Sequence, residues 1–570
     1  MSLSFPLSAK HCAVVLVAAG LLVACGGGSG GGYSVSNSPP GSVVGVPTNP
    51  ITKTWFRDQN GAVGKVSGRV SIETSGSADD VDTVRLYWAD QQGQVMGSHW
   101  LSTDKQGAFD LAIADAEIPD GARALLLFPA NEAGQAEQGT LVRFHDFIGN
   151  TELSGPGGNY DESWQYGDDR PAIPVHRTSL DALATCVFDN GLVSVVDMAN
   201  ERDEAWHASS DGRANQADDA AFPPYQFECG QNPVNTHRKV SDDFGVWTYS
   251  TINDAMFYGT LVYDTYVKYL GEPPLEDKIR LRVHYAGRSR DYAYWDGAYA
   301  NFSDAYPHQY SMAPLDAIAH EVGHGVLNRI SNVNAFEYPV SQDVRTVHEA
   351  FADVSGVMAK YALTGNSDQW IHGEEARGPW VRHLDRIQTE PDAIPSLLDY
   401  DDAGDNYYLR IGMMTYPFYL LSQQWGLEVT YNVYVEAARH CWQAQMSLTD
   451  AAQCIKTQAG AQGHSEQAVV EAFKTVKIAL FDAGLLSHFT AQTNQLQVVF
   501  ADNSQNVGSS NAHAVVQWQW DFGDGHSSTM ANPTHLYAEA GNYPVTLTVT
   551  DQSGEADSFT RTASVNQAVD

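Results

Sequence analysis

Basic residues are scarce in this 570-residue chain: 33 Lys and Arg stand against 69 Asp and Glu, a formal charge of −36. So acidic a surface repels nucleic acid and anionic headgroups, and it suits a soluble domain meeting high salt or cationic substrates; no nucleic-acid partner is expected. Cysteine is scarce too, six in all with no CxxC pair, which argues against a thiolate metal site. Apolar runs of spanning length are missing after residue 24, so no later segment is expected to cross a bilayer as a helix. The chain is too long for one core, and three or four domains are expected.

One stretch points to a chemistry. His320-Glu321-Val322-Gly323-His324 sets two imidazoles at i and i+4, on one face of a helix, where both can reach a single Zn2+ at roughly 2.0–2.1 Å. Glu321 then faces the open position of the metal, where it can take a proton from water and pass it to a leaving amine. Pro314 and Asp316 suit a first turn, Leu315, Ile318, Ala319 and Val322 form an apolar back face, and Gly325 and Asn328 weaken the far end. The bland alternative is a chance match on an ordinary amphipathic helix. Downstream, Val347, Ala350, Phe351, Val354, Met358 and Tyr361 recur at helical spacing up to Gly365. Glu349 and Asp353 share a face of that helix: Glu349 can complete a His2Glu site, and Asp353 can hold the second nitrogen of a ligand histidine. Solvated helix carboxylates are the alternative, but their apolar neighbours favour burial, and burial calls for a partner.

This arrangement resembles the thermolysin family of neutral zinc proteases, in which HExxH is followed by a helix bearing a glutamate ligand and an aspartate four residues on. Val283-His284-Tyr285, Tyr294-Trp295-Asp296-Gly297 and Phe302-Ser303-Asp304 look like the family's substrate-edge strand and its following loop. Asp399–Leu421 and Tyr431–Leu480 are similar to its helical lobe. The resemblance covers about half the chain, from about Val240 to Gly484. It implies an endopeptidase acting on protein or peptide substrates and cutting on the amino side of bulky apolar residues. By the same resemblance Tyr338 and Tyr408 would steady the oxyanion, Tyr408 standing where the family has a histidine, and Arg382 would line the substrate pocket. His348 replaces the usual Asn before the ligand glutamate and is left out of the metal's ligands. Asp316, Asp368 and Glu374 would fit a calcium site, but Lys360 stands where a bridging glutamate is expected and repels the ion, leaving one weak Ca2+ site at most. Rival readings are an inactive zinc-bearing surface adhesin and a different zinc hydrolase, such as an amidase on cell-wall peptide.

After Lys10 an apolar run from Cys12 to Ala24 ends in Leu22-Val23-Ala24-Cys25, which resembles a bacterial lipobox. Residues 1–25 read as a lipoprotein signal with Cys25 lipidated, so the protein is expected to be exported to the outer membrane and anchored by lipid alone. An ordinary signal peptide is the alternative. Residues 26–62 read as a flexible linker, 63–148 as a β-sandwich of short alternating runs, 149–178 as a second linker and 179–486 as the protease domain. The protease domain is expected to be α+β, two-lobed, with a largely helical C-terminal lobe. In 487–570, Trp518-Gln519-Trp520-Asp521-Phe522-Gly523-Asp524-Gly525, Asn532-Pro533, His535, Tyr537 and the alternating Val545, Leu547 and Val549 resemble a polycystic-kidney-disease (PKD) domain. That is an immunoglobulin-like sandwich, and an insoluble polymer or a protein is the kind of ligand expected for it. Asp521 and Asp524 read as turn stabilisers rather than metal ligands. An even cysteine count in an exported chain favours disulfides, and of three connectivities the local pairs Cys186–Cys229 and Cys441–Cys454 are chosen.

Overall fold

The computed structural model describes residues 45–566, apart from 75–79, 105–110, 180–183, 210–212, 238–247, 287–292, 305–310, 312, 334–335, 337–339, 377–380, 388–392, 405 and 509–512. Among the described residues no helix is long and apolar enough to cross a membrane. The signal segment and Cys25 lie outside them, as does Tyr338.

An N-terminal β-sandwich packs Ile51–Phe56, Lys65–Thr74 and Leu111–Glu117 against a sheet built on Thr83–Ala89, Val95–Asp104 and Ala124–Asn131. Val66, Val70, Val84, Leu86, Leu125 and Leu127 fill the space between. Both expected linkers need correction. The first gives way to a strand at Ile51 because Phe56, paired with Val70, is a core residue and meets Phe144 edge-on at 5.6 Å. The second, 149–178, forms four strands, and its Trp164, Tyr166, Ile173 and Val175 are buried in the protease core. Its glycines serve close packing: a Cβ at Gly157 would collide with Trp164, Asp254 and Tyr166.

The first protease lobe is a sheet in which Val193–Asp197, Ile279–Val283 and Ala300–Phe302 run parallel, with Ala293–Trp295 antiparallel at the edge. A short helix α1 (Glu204–Ala208) precedes the long α2 (Thr251–Leu270), which links the first two strands and is capped by Ser250 and by left-handed Gly271. Thr185–Val187 pairs with Gln226–Glu228, and the Cys186–Cys229 disulfide ties them; residues from 185 on thus join this lobe.

Helices α3 (Leu315–Ile330) and α4 (Gln342–Thr364) carry the candidate site. They approach closely at Gly323, where a Cβ would stand 3.2 Å from Ala352 Cα. Beneath α3, the Tyr266 hydroxyl of α2 donates to Ala319 O at 3.0 Å. The second lobe comprises α5 (Gly412–Trp425), α6 (Leu427–His440), α7 (Leu448–Ala461) and α8 (Glu466–Lys474), with Cys441–Cys454 joining the end of α6 to α7.

The C-terminal sandwich has a three-stranded sheet (Phe489–Asn494, Gln497–Asp502, Thr534–Leu536) facing a four-stranded one that includes Val515–Asp521, Gly541–Asp551 and Ala556–Val565. Trp520, Phe522, Val545, Leu547 and Val549 are buried between them. This sandwich is bolted to the helical lobe through buried charge. Lys477, 1% exposed, donates to Asp557 Oδ2 at 2.7 Å, and Asp399 takes His488 Nε2 at 2.8 Å and Arg561 Nη1 at 3.3 Å. The N-terminal sandwich is held by more exposed pairs, Arg57 with Asp264 on α2 at 2.9 Å and Arg143 with Glu272 at 3.4 Å.

Candidate metal centre

On α3, His320 and His324 stand one turn apart with ring centroids 4.7 Å apart. Glu349 of α4 faces both: Oε2 lies 3.2 Å from His320 Nε2, and Oε1 lies 3.8 Å from His324 Nε2. The ligand atoms of the three lie within 4.8 Å of one another. A tetrahedral ion with ligands at about 2.0–2.1 Å separates them by roughly 3.3–3.4 Å, so the spacing fits zinc. Two further observations agree. Glu349 Oε2 is buried with no hydrogen-bond partner. Glu321, Glu349 and Asp353 also set three buried carboxylates against the guanidinium of Arg382, leaving negative charge to be balanced. Burial opposes a charge on His320, yet Asp353 and Glu349 draw a proton to it strongly enough to lift its pKa to about 10, a sign that positive charge is favoured here.

The far nitrogen of each histidine is occupied. His320 Nδ1 lies 2.8 Å from Asp353 Oδ1, and Asp353, fully buried, also accepts Arg382 Nε at 3.0 Å and Nη2 at 2.5 Å. His324 Nδ1 lies 2.6 Å from His348 Nδ1, whose Nε2 is 2.8 Å from Asn328 Oδ1. Because an amide oxygen only accepts, His348 carries its proton on Nε2, its Nδ1 accepts a hydrogen bond from His324 Nδ1–H, and His324 Nε2 is left with its lone pair free to bind. Burial holds His324 and His348 below the usual imidazole range, His348 at about 3, so both are neutral.

Glu321 is 6% exposed. Burial raises its carboxyl to about 7; the His320 charge opposes this and Glu349 adds to it. That value suits a group that must both take and give a proton near neutrality.

The Arg382 guanidinium grips Asp353. The Tyr408 ring is 44% exposed and lies 6.0 Å from that guanidinium. Asp316, Asp368 and Glu374 are not among the metal-sized clusters of the described residues. Asp316 is buried, accepts the Ala317 and Gly373 N–H groups and has Lys360 Nζ at 3.7 Å, whereas Asp368 and Glu374 are exposed. Against the pull of burial, His372 and Lys360 hold the Asp316 carboxyl below its ordinary range. The lysine thus supplies the charge that a cation would. A second cluster, His320, Asp353 and His372, suits an ion less well, because the Arg382 guanidinium already occupies Asp353.

Residues 182–328 match the thermolysin metallopeptidase catalytic domain, 342–478 the thermolysin metallopeptidase alpha-helical domain and 490–566 the PKD domain. The chain thus carries thermolysin metallopeptidase catalytic and alpha-helical domains followed by a PKD domain. The neutral protease of Vibrio proteolyticus is 25% identical over 352 residues, 60% of this chain and 52% of that protein. The hemagglutinin/proteinase of Vibrio cholerae is 27% identical with the same coverage of each. The pre-pro-metalloprotease PrtV of Vibrio cholerae shares 48% identity over 63 residues, 11% of this chain and 7% of that one. The chain spans about half the length of the first two relatives.

The function of His348 was not legible in the sequence. Asn328, one turn beyond His324, is the signal that pairs with it: together they form a neutral relay behind His324.

Proposed function

We propose that this chain is a zinc-dependent endopeptidase, with His320, His324 and Glu349 as the metal ligands and Glu321 as the general base and acid. The observation that carries this reading is the convergence of His320 Nε2, His324 Nε2 and the Glu349 carboxylate, with Glu321 beside them. Zn2+, when bound, supplies Lewis acidity toward the scissile carbonyl and brings a water's pKa down to about 7. Glu321 would take a proton from the attacking water and return it to the leaving amine. Asp353, steadied by Arg382, and His348, steadied by Asn328, fix the tautomers that turn both Nε2 atoms to the ion. Tyr408 and Tyr338 donate hydrogen bonds to the developing oxyanion; a phenol can donate there but brings no positive charge, so turnover is slower than with imidazole. Cleavage on the amino side of bulky apolar residues follows from the family likeness.

Export is supported by the N-terminal apolar segment and the two disulfides, and lipid anchoring by Leu22-Val23-Ala24-Cys25. A polymer or protein ligand for the PKD domain belongs to the same reading. The adhesin alternative leaves a buried carboxylate with a pKa near 7 beside the metal position without a purpose.

The test uses the chain without residues 1–25, assayed on casein and a furylacryloyl dipeptide with and without a strong chelator. Activity should vanish on chelation and return with Zn2+, and Glu321→Gln should lower kcat by a factor of about 10²–10⁴ while zinc content stays unchanged. Activity that survives the chelator, or an unaltered Glu321→Gln, overturns the proposal.

A further inference from the structure

The PKD domain holds a second constellation of metal-ligating side chains, far in sequence from the protease motif. Asp524 sits in the turn after Val515–Asp521, where Gly523 and Gly525 take φ of 78° and 87° and bend the chain back on itself. Its two carboxylate oxygens face two imidazoles: Oδ1 is 3.3 Å from His526 Nδ1, and Oδ2 is 2.7 Å from His535 Nε2. Ligand atoms of all three residues lie within 4.8 Å of one another, the same tolerance that gathers His320, His324 and Glu349.

Two of the three are fixed in place. His535 stacks on Phe522 with centroids 4.2 Å apart and planes 6° apart, and meets Tyr537 edge-on at 4.6 Å. Asp524 is oriented by the His526 backbone N–H, which donates to Oδ1 at 3.0 Å. The third, His526, has a side chain 73% exposed, and its ring lies 5.5 Å from that of His535. Asp521 takes no part, since its Oδ1 caps the turn by accepting the Gly523 N–H at 2.9 Å.

We infer that Asp524, His526 and His535 form a surface site for a divalent transition-metal ion on the PKD domain, separate from the catalytic centre. Two imidazoles and one carboxylate select Zn2+, Cu2+ or Ni2+ over Ca2+ or Mg2+, which prefer all-oxygen shells. Tetrahedral coordination at about 2.0–2.1 Å requires ligand atoms roughly 3.3–3.4 Å apart, so the Asp524–His535 pair opens by less than an ångström and His526 turns inward. The coordination positions facing solvent accept water, or a donor group from whatever the domain meets.

A bare Asp–His hydrogen bond bracing the turn would need no His526, and that residue therefore carries the test. The full chain without residues 1–25 is equilibrated with a slight excess of Zn2+, desalted, and its metal content measured. Wild type should retain two zinc ions per chain and His526→Ala one, with unchanged thermal melting in metal-free buffer. Glu349→Gln should also retain one, that of the PKD domain, so failure of this site and failure of the catalytic reading give different patterns. Cu2+ bound to Glu349→Gln should show electron paramagnetic resonance hyperfine coupling to two imidazole nitrogens, lost when His526→Ala is added to that variant. Equal zinc content in wild type and His526→Ala, or a copper spectrum that His526→Ala leaves intact, would overturn the site.

Discussion

His320 and His324 sit one turn apart on α3 and face the same point, yet they are backed by opposite electrostatics. Behind His320 stands a buried ion pair, Asp353 with Arg382; behind His324 stands an uncharged relay, His348 and Asn328. Both fix a tautomer, but only the first adds charge to the imidazole it backs. The contrast shows that orienting an imidazole and raising its basicity are separable tasks, and that this chain assigns them to two neighbouring histidines.

Breaking the charged side should cost most. Asp353→Ala strands the Arg382 guanidinium and His320 without their acceptor in a buried site, and removing one partner of such a pair costs about 3–5 kcal/mol; urea melts should show that loss together with the loss of zinc. On the neutral side, His348→Leu leaves His324 Nδ1–H unsatisfied and its ring free to turn, so zinc affinity should fall about 10- to 100-fold, read by competition with a chelating dye. His348→Asn, which keeps an acceptor, should recover most of it.

Acid sharpens the contrast. The His348 pKa, pushed down to about 3 by burial and by the neighbouring His320, lies below the unfolded value of about 6.5. Between these values the unfolded chain binds the extra proton, so the contribution of His348 to stability is complete above about pH 6.5 and drains away as pH falls toward about 3. Asp353, held well below the carboxylate range against the pull of burial, chiefly by Arg382 and His372, keeps its contribution until pH falls below about 3.9. Thermal melts should therefore fall more steeply in wild type than in His348→Asn between about pH 6 and 4; parallel curves would contradict the neutral relay. The smallest effect is expected from Tyr408→His, which places a chargeable donor near Arg382 and should raise kcat severalfold with KM little changed; a flat response would remove Tyr408 from the oxyanion.

What could be read from the sequence follows from periodicity. The i, i+4 spacings of His320 with His324 and of Glu349 with Asp353 place side chains on one helix face whatever the tertiary context. The alternation of Val545, Leu547 and Val549 likewise marks the inner face of the PKD domain. What stayed hidden depends on contacts between distant segments. Residues 149–178 look like a linker because Gly, Tyr and Asp also mark loops, and only the packing of Trp164 and Tyr166 against α2 makes them part of the core. The strand at Ile51–Phe56 lies beyond a proline- and glycine-rich approach that masks it. The grip of Arg382 on Asp353 joins segments far apart in sequence, and the pairing of His348 with Asn328 spans two helices that no local pattern relates.

The charged seam at the PKD junction has a mechanical meaning. With Lys477 enclosed against Asp557 and Ser558, and Asp399 gripping both His488 and Arg561, the last sandwich is a rigid bracket rather than a module on a leash. A ligand taken by it would be held at a set distance and bearing from α3, and clipping the bracket away would uncover a lysine now almost wholly shut off from water.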